Sequence, residues 1–225
     1  RKIRSKNKNF IKLCLNSKLS SEITLQPIKR YNLDSAIIFS DILMVPFALG
    51  QNVNFVKNKG PVLSKFDIKK FSKVKEKEFT QKLRPIYKAI KITRKKLNKK
   101  KSLISFVGSP WTLLVYMLSL KNKKGKINIK LLNIKNNQIK KIMDNLNKFL
   151  CIHIKNQFNA GADVVQIFDS WAGKLPNNKL KQFCFKPNKR IVDFCKKHKF
   201  PTICFPKGIN KNYLNFNNYV KPNCL

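Results

Sequence analysis

Acidic residues are scarce in this 225-residue sequence: 10 Asp and Glu face 49 Lys and Arg, a formal net charge of +39 with His neutral. Glycine (7), methionine (3), tryptophan (2) and histidine (2) are few as well. No run of about 18 apolar residues occurs. The longest candidate, Ser35 to Gly50, is interrupted by Asp41 and Pro46, so no membrane partner is expected. No apolar stretch follows the basic Arg1-Lys2-Ile3-Arg4, which therefore does not read as a signal peptide. The six cysteines (Cys14, Cys151, Cys184, Cys195, Cys204, Cys224) form no C-x-x-C pair. That argues against a disulfide framework or zinc site and for a reducing compartment. Cys151-Ile152-His153 reads as a core segment rather than a ligand pair. Phosphate-loop, G-x-S-x-G and H-E-x-x-H patterns are missing. His153 and His198 both fall in helical stretches, which leaves a Ser or Cys nucleophile without a base. Chemistry without cofactor or metal fits.

The basic excess is 43 Lys and only 6 Arg, beside 26 Asn. A phosphate-gripping surface favours Arg, whose planar fork makes bidentate contacts. Abundant Lys, Asn, Ile and Phe with little Gly reads instead as the product of an AT-rich coding sequence. The charge is then mainly a solvated surface, and no nucleic-acid partner is expected. The competing reading, a nucleic-acid-binding protein, predicts steeply salt-dependent binding and basic residues gathered on one face.

Four short apolar runs organise the chain: Ser35–Phe39, Leu103–Val107, Val164–Phe168 and Thr202–Phe205. Continuous runs of this length suit strands buried on both faces. Between them, apolar residues recur at three- and four-residue spacing over Glu78–Asn98, Ile134–Phe158 and Asn188–Lys199, predicting helices. The second of these ends at Asn159-Ala160-Gly161, a helix-stop signal. Lys65–Lys75 and Lys121–Lys126 read as solvated surface and loops, and Tyr219–Leu225 as the approach to a further strand. Alternating strands and helices predict an α/β fold with a parallel sheet, taken as one domain over residues 1–225.

Ligands of parallel α/β domains gather at the carboxyl ends of strands. The residues there are Asp41, Ser109 to Trp111, Asp169 to Trp171, and Lys207. Asp41 lies between Ile-Ile-Phe and Ile-Leu-Met-Val-Pro-Phe. It is either a helix-capping carboxylate or one projecting into an apolar cleft, where desolvation raises its pKa unless a ligand supplies donors. Asp169 and Ser170 carry the same two readings. Tyr116 follows the Ser109-Pro110 helix start, as a core aromatic or a cleft residue.

At these residues the sequence resembles the uroporphyrinogen decarboxylase family. The resemblance rests on Thr24-Leu25-Gln26-Pro27, Arg30 to Leu43, Gly60-Pro61, Gly108 to Leu113 with Tyr116-Met117, Ala160 to Asp163, Gln166 to Gly173 and Lys207-Gly208, in that order. It implies a (β/α)8 TIM barrel, incomplete in this chain. The implied reaction removes the four acetate carboxyls of uroporphyrinogen III to give coproporphyrinogen III, with no cofactor. By motif, Asp41 would accept hydrogen bonds from the pyrrole N–H groups, and Tyr116 would stand near the reacting acetate. Ser170 and Arg4 would contact substrate carboxylates. A homodimer in the cytoplasm or a plastid-type organelle is also implied. The family's arginine-rich motif before Arg4 and its late histidine motif are not in this sequence, which reads as part of a longer product. A corrinoid-dependent methyltransferase of the same superfamily is the nearest other enzyme. It would bring zinc on His and Cys, and no H-x-C arrangement occurs.

Overall fold

A computed structural model describes residues 2–56, 59–121, 126–128 and 136–225. In chain order it runs α1 (Lys2–Lys6), α2 (Phe10–Cys14), α3 (Ser17–Arg30), β1 (Ser35–Ile37), α4 (Met44–Ala48), β2 (Val53–Val56) and β3 (Gly60–Leu63). There follow α5 (Ile68–Lys73), α6 (Glu76–Lys96), β4 (Ser102–Gly108), α7 (Pro110–Met117), α8 (Asn136–Asn159) and β5 (Val164–Asp169). After β5 comes a continuous helical run: α9 (Asn177–Leu180), a π turn (Lys181–Phe185) and α10 (Lys186–Lys197). β6 (Thr202–Pro206) and α11 (Tyr213–Val220) complete it. The α/β class is as expected, and β1, β4, β5 and β6 coincide with the four apolar runs. These are four of the eight strands a closed barrel needs. The start expected for α8, Ile134, and most of Lys121–Lys126 lie outside the described residues.

The chain divides into two compact units, Arg1–Phe106 with Ile152–Val165, and Val107–Cys151 with Gln166–Leu225. Strands β4 and β5 begin in the first and end in the second.

In the first unit β1 pairs in parallel with the start of β4, Ser35 opposite Ser102 and Ile37 opposite Ile104. Phe79, Leu83, Ile86 and Ile90 turn one stripe of α6 into the core. Helix α3 was not legible as an apolar pattern, because its buried positions include Ser20, Ser21 and Thr24. Their hydroxyls are satisfied locally: Thr24 Oγ1 donates to Ser20 O at 2.7 Å, and Thr93 Oγ1 of α6 reaches Ser21 Oγ at 3.0 Å. Two further elements depart from expectation. The antiparallel hairpin β2–β3 was not expected, its strands being only four residues each, and Lys65–Lys75 is not a loop throughout. Asp67 caps α5 by accepting from Lys69 N and Lys70 N, yet only Phe71 of that helix is buried, too few contacts to leave a period.

In the second unit Ser109 N donates to Phe168 O at 2.8 Å, and Lys207 N donates to Asp169 O at 3.2 Å, aligning the ends of β4, β5 and β6. Gly173 N donates to Lys207 O at 2.9 Å. A Cβ on Gly173 would overlap the backbone of Gly208, so only glycine fits there. Past α11, Cys224 pairs in parallel beside Ile203 through Cys204 N to Cys224 O and Cys224 N to Thr202 O. The segment expected to approach a strand is thus helical to Val220 and strand-like only at its end.

Candidate functional site

Asp41 follows β1, and the geometry that puts it there starts in α3. Thr24 Oγ1 accepts Phe39 N–H at 2.8 Å, which fixes the backbone two residues before the carboxylate. Asp41 Oδ1 then accepts Leu43 N–H at 2.8 Å, a local turn that leads into α4. This is the capping reading in part. The second reading also has support, because burial among apolar neighbours pushes the Asp41 carboxyl above its ordinary value, and the single backbone N–H only partly offsets that. The group is half-buried and desolvated, with Leu43 N–H as its donor among the described residues.

Arg4 is exposed on α1. Its guanidinium donates to Asn7 O and, at 2.9 Å, to Lys8 O, and stands over the Phe10 ring at 5.3 Å. Phe10 in turn meets Phe39 and Phe55 edge-on at 5.8 and 4.5 Å. The buried thiol of Cys14 is pushed up to about 12, by desolvation first and the Asp41 charge second, with Arg4 opposing.

The second unit gathers Tyr116 and Ser170 around Trp171. Tyr116 is half-buried on α7, its ring edge-on to Trp171 at 6.1 Å. Ser170 is exposed, immediately before Trp171. Trp111 Nε1 donates to Trp171 O at 2.9 Å, and Lys121 Nζ stands 5.3 Å over the Trp171 ring. The buried Trp171 Nε1 has no hydrogen-bond partner among the described residues.

Asp169, one residue earlier, takes the structural reading. It is 1% exposed, and accepts from Thr112 Oγ1 at 2.8 Å and Asn188 Nδ2 at 3.0 Å. Burial raises its carboxyl, opposed by hydrogen bonds from Ser109, Thr112, Cys184 and Asn188. Sequence reasoning missed Thr24, Trp171 and Asn188 as the residues that set these positions. Thr24 and Trp171 each stood unassigned in a quoted motif, Trp171 also among the strand-end residues, whereas Asn188 carried no signal.

His153 is a core residue, as expected. Tyr87 Oη lies 3.0 Å from its Nδ1 and Gln157 Nε2 lies 2.7 Å from its Nε2, while desolvation lowers its pKa to about 3. Gln157 Nε2 also donates to Phe106 O, so its second proton serves the ring and Nδ1 carries the imidazole proton toward Tyr87. Among the described residues no three His, Cys, Asp or Glu cluster into a metal-binding group, and no helix is long and apolar enough to cross a membrane.

The family model for uroporphyrinogen decarboxylase (URO-D) matches residues 1–225. The chain belongs to the uroporphyrinogen decarboxylase family. It is 40% identical over 217 residues to the uroporphyrinogen decarboxylase of Rickettsia bellii (strain RML369-C), covering 95% of this chain and 64% of that protein. It is 44% identical over 219 residues to that of Orientia tsutsugamushi (strain Ikeda), covering 94% and 62%. The chain thus spans somewhat under two thirds of the length of these curated relatives. Among solved structures it resembles a methyltransferase from Methanosarcina mazei with a TM-score of 0.72 at 18% identity, over 90% of this chain and 60% of that one. That likeness concerns the fold alone, whereas the decarboxylase relatives share sequence as well.

Proposed function

We propose that this protein decarboxylates the four acetate side chains of uroporphyrinogen III to coproporphyrinogen III, without cofactor. The observation that carries the reading is Asp41, a desolvated strand-end carboxylate with one backbone donor, in a chain whose relatives at 39–45% identity are named uroporphyrinogen decarboxylase. In the proposed complex the pyrrole N–H groups supply the donors that Asp41 lacks. Loss of CO2 from a pyrrole acetate needs an electron sink, and a pyrrole protonated on carbon is one. A fixed carboxylate beside that ring stabilises the cation in a low-dielectric site. The substrate brings its own sink, so no cofactor motif is required.

Tyr116 is assigned to the neighbourhood of the reacting acetate. Ser170 and Arg4 are assigned to substrate carboxylates, bound by hydrogen bonds that are charge-assisted from Arg4. The partner is the tetrapyrrole, with a second copy of the chain as a homodimer and the cytoplasm as the compartment. The lysine-rich surface helps capture an octacarboxylate by steering. The test is anaerobic incubation with uroporphyrinogen III, following the seven-, six- and five-carboxyl intermediates. Their absence beside a working control enzyme rejects the reading. Near wild-type turnover by Asp41→Asn rejects the role of Asp41.

A further inference from the structure

Ser170 is exposed, yet the residues on either side of it are held from α7. Thr112, in the first turn of that helix, is fully buried. Its Oγ1 donates to Asp169 Oδ1 at 2.8 Å and accepts Trp171 N–H at 3.3 Å. Its neighbour Trp111, equally buried, donates from Nε1 to Trp171 O at 2.9 Å. Two consecutive residues of one helix therefore hold both backbone polar groups of the residue after Ser170. One of them also holds the carboxylate of the residue before it.

The direction of these bonds follows from the chemistry of the hydroxyl. Threonine has one O–H proton, and Asp169 takes it, so the lone pairs are left for Trp171 N–H. Asn188 Nδ2 donates to the other carboxylate oxygen at 3.0 Å, which keeps Oδ1 turned toward Thr112. A tie between α7 and β5 is complete with the Asp169 bond. The bond to Trp171 N–H does something further: it fixes the backbone beside an exposed serine. Tyr116 is carried by the same helix, one turn later, with its ring 6.1 Å from that of Trp171.

We infer that Thr112 is a positioning residue for substrate binding. Through Trp171 N–H it holds the Ser170 hydroxyl in register with Tyr116, so that one helix sets the spacing of two groups assigned to the substrate. Thr112 itself is buried and touches no substrate. The inference rests on the role proposed for Ser170.

The test is steady-state kinetics of the whole chain with uroporphyrinogen III under anaerobic conditions. Ser170→Ala should raise KM about tenfold, the scale of one hydrogen bond to a carboxylate. Thr112→Val should approach that value with kcat changed less than about twofold, the pattern of lost uniform binding. Thr112→Ser keeps the hydroxyl and should restore KM. In a Ser170→Ala background Thr112→Val should add nothing to KM, because both act through one contact. Trp111→Phe removes the other half of the clamp without touching Asp169. It should raise KM in the same way, and serves where Thr112→Val does not fold. Unchanged KM in the folded variants, or a Thr112→Val effect additive with Ser170→Ala, overturns the inference and leaves decarboxylation standing. If the wild type does not turn over, decarboxylation is what fails, and amide exchange decides the clamp. Trp171 N–H should then be protected in the wild type and exchange at least about tenfold faster in Thr112→Val, but not in Thr112→Ser. An unprotected Trp171 N–H in the wild type overturns the inference without any variant.

Discussion

Asp41 and Asp169 are two carboxylates at strand ends, both raised by burial, and they have opposite kinds of company. Asp169 is enclosed by Thr112 Oγ1, Asn188 Nδ2, Ser109 and Cys184, side chains from two stretches of the second unit. Asp41 has the Leu43 N–H. The first carboxylate is a hub: it ties α7 and α10 to the end of β5, and its hydrogen-bonding capacity is used inside the protein. The second is positioned from outside, through Thr24 and Phe39, with acceptor capacity left over. Desolvation alone therefore does not mark a functional carboxylate. The role proposed for Asp41 rests on desolvation together with few internal donors.

The contrast can be broken in several ways. Asp169→Ala leaves Thr112 and Asn188 buried without their acceptor, and should cost about 2–4 kcal/mol in a urea melt. A loss below ~1 kcal/mol would mean that the hub is dispensable. Asp41→Asn should instead lose no stability in that melt while lowering decarboxylation about a hundredfold or more, the scale seen when one preorganised electrostatic partner is removed. If the two variants exchange these phenotypes, the comparison is reversed.

Thr24→Val is the intermediate case. It keeps the shape of α3 but removes the acceptor of Phe39 N–H, for about 1–3 kcal/mol. It should also reduce turnover about tenfold by loosening the residue that carries Asp41, with Thr24→Ser restoring most of both. Unchanged kcat in a destabilised Thr24→Val would confine Thr24 to stability.

The smallest effect is in pH. The Asp41 pKa is higher folded than its ordinary 3.8. Its contribution to stability is therefore present below that ordinary value, and is lost as pH rises through the raised one. Ionising Asp41 opposes folding, so Asp41→Asn should be the more stable protein above the raised pKa, and the gap should close in melts below about pH 3.8.

What was legible beforehand follows the same physics. The four parallel strands announced themselves because Ala36, Leu103, Val165 and Cys204 are buried in consecutive apolar company. α6 and α10 did so because they are long and strongly one-sided. Helix α3 was hidden because it packs through Ser20, Ser21 and Thr24, residues that any hydrophobicity count scores as surface. The hub at Asp169 was hidden for a related reason: hydrogen bonds between residues 19 and 57 positions apart have no period. Asp41 was readable because a lone acid inside an apolar run is conspicuous in a chain with ten acids. Its support from Thr24 was not, since 15 residues separate Thr24 from the Phe39 N–H that it holds.

The contact between Gly173 and Gly208 bears on how far such a composition can drift. Of the seven glycines, Gly50, Gly60, Gly161 and Gly208 have positive φ, and Gly173 has no room for a methyl group. Mutational pressure toward lysine and asparagine codons can rewrite a solvated helix face residue by residue. It stops where the backbone itself excludes a side chain. At Gly173 that stop comes three residues after Ser170, where one added carbon would separate the end of β6 from the loop that carries the serine.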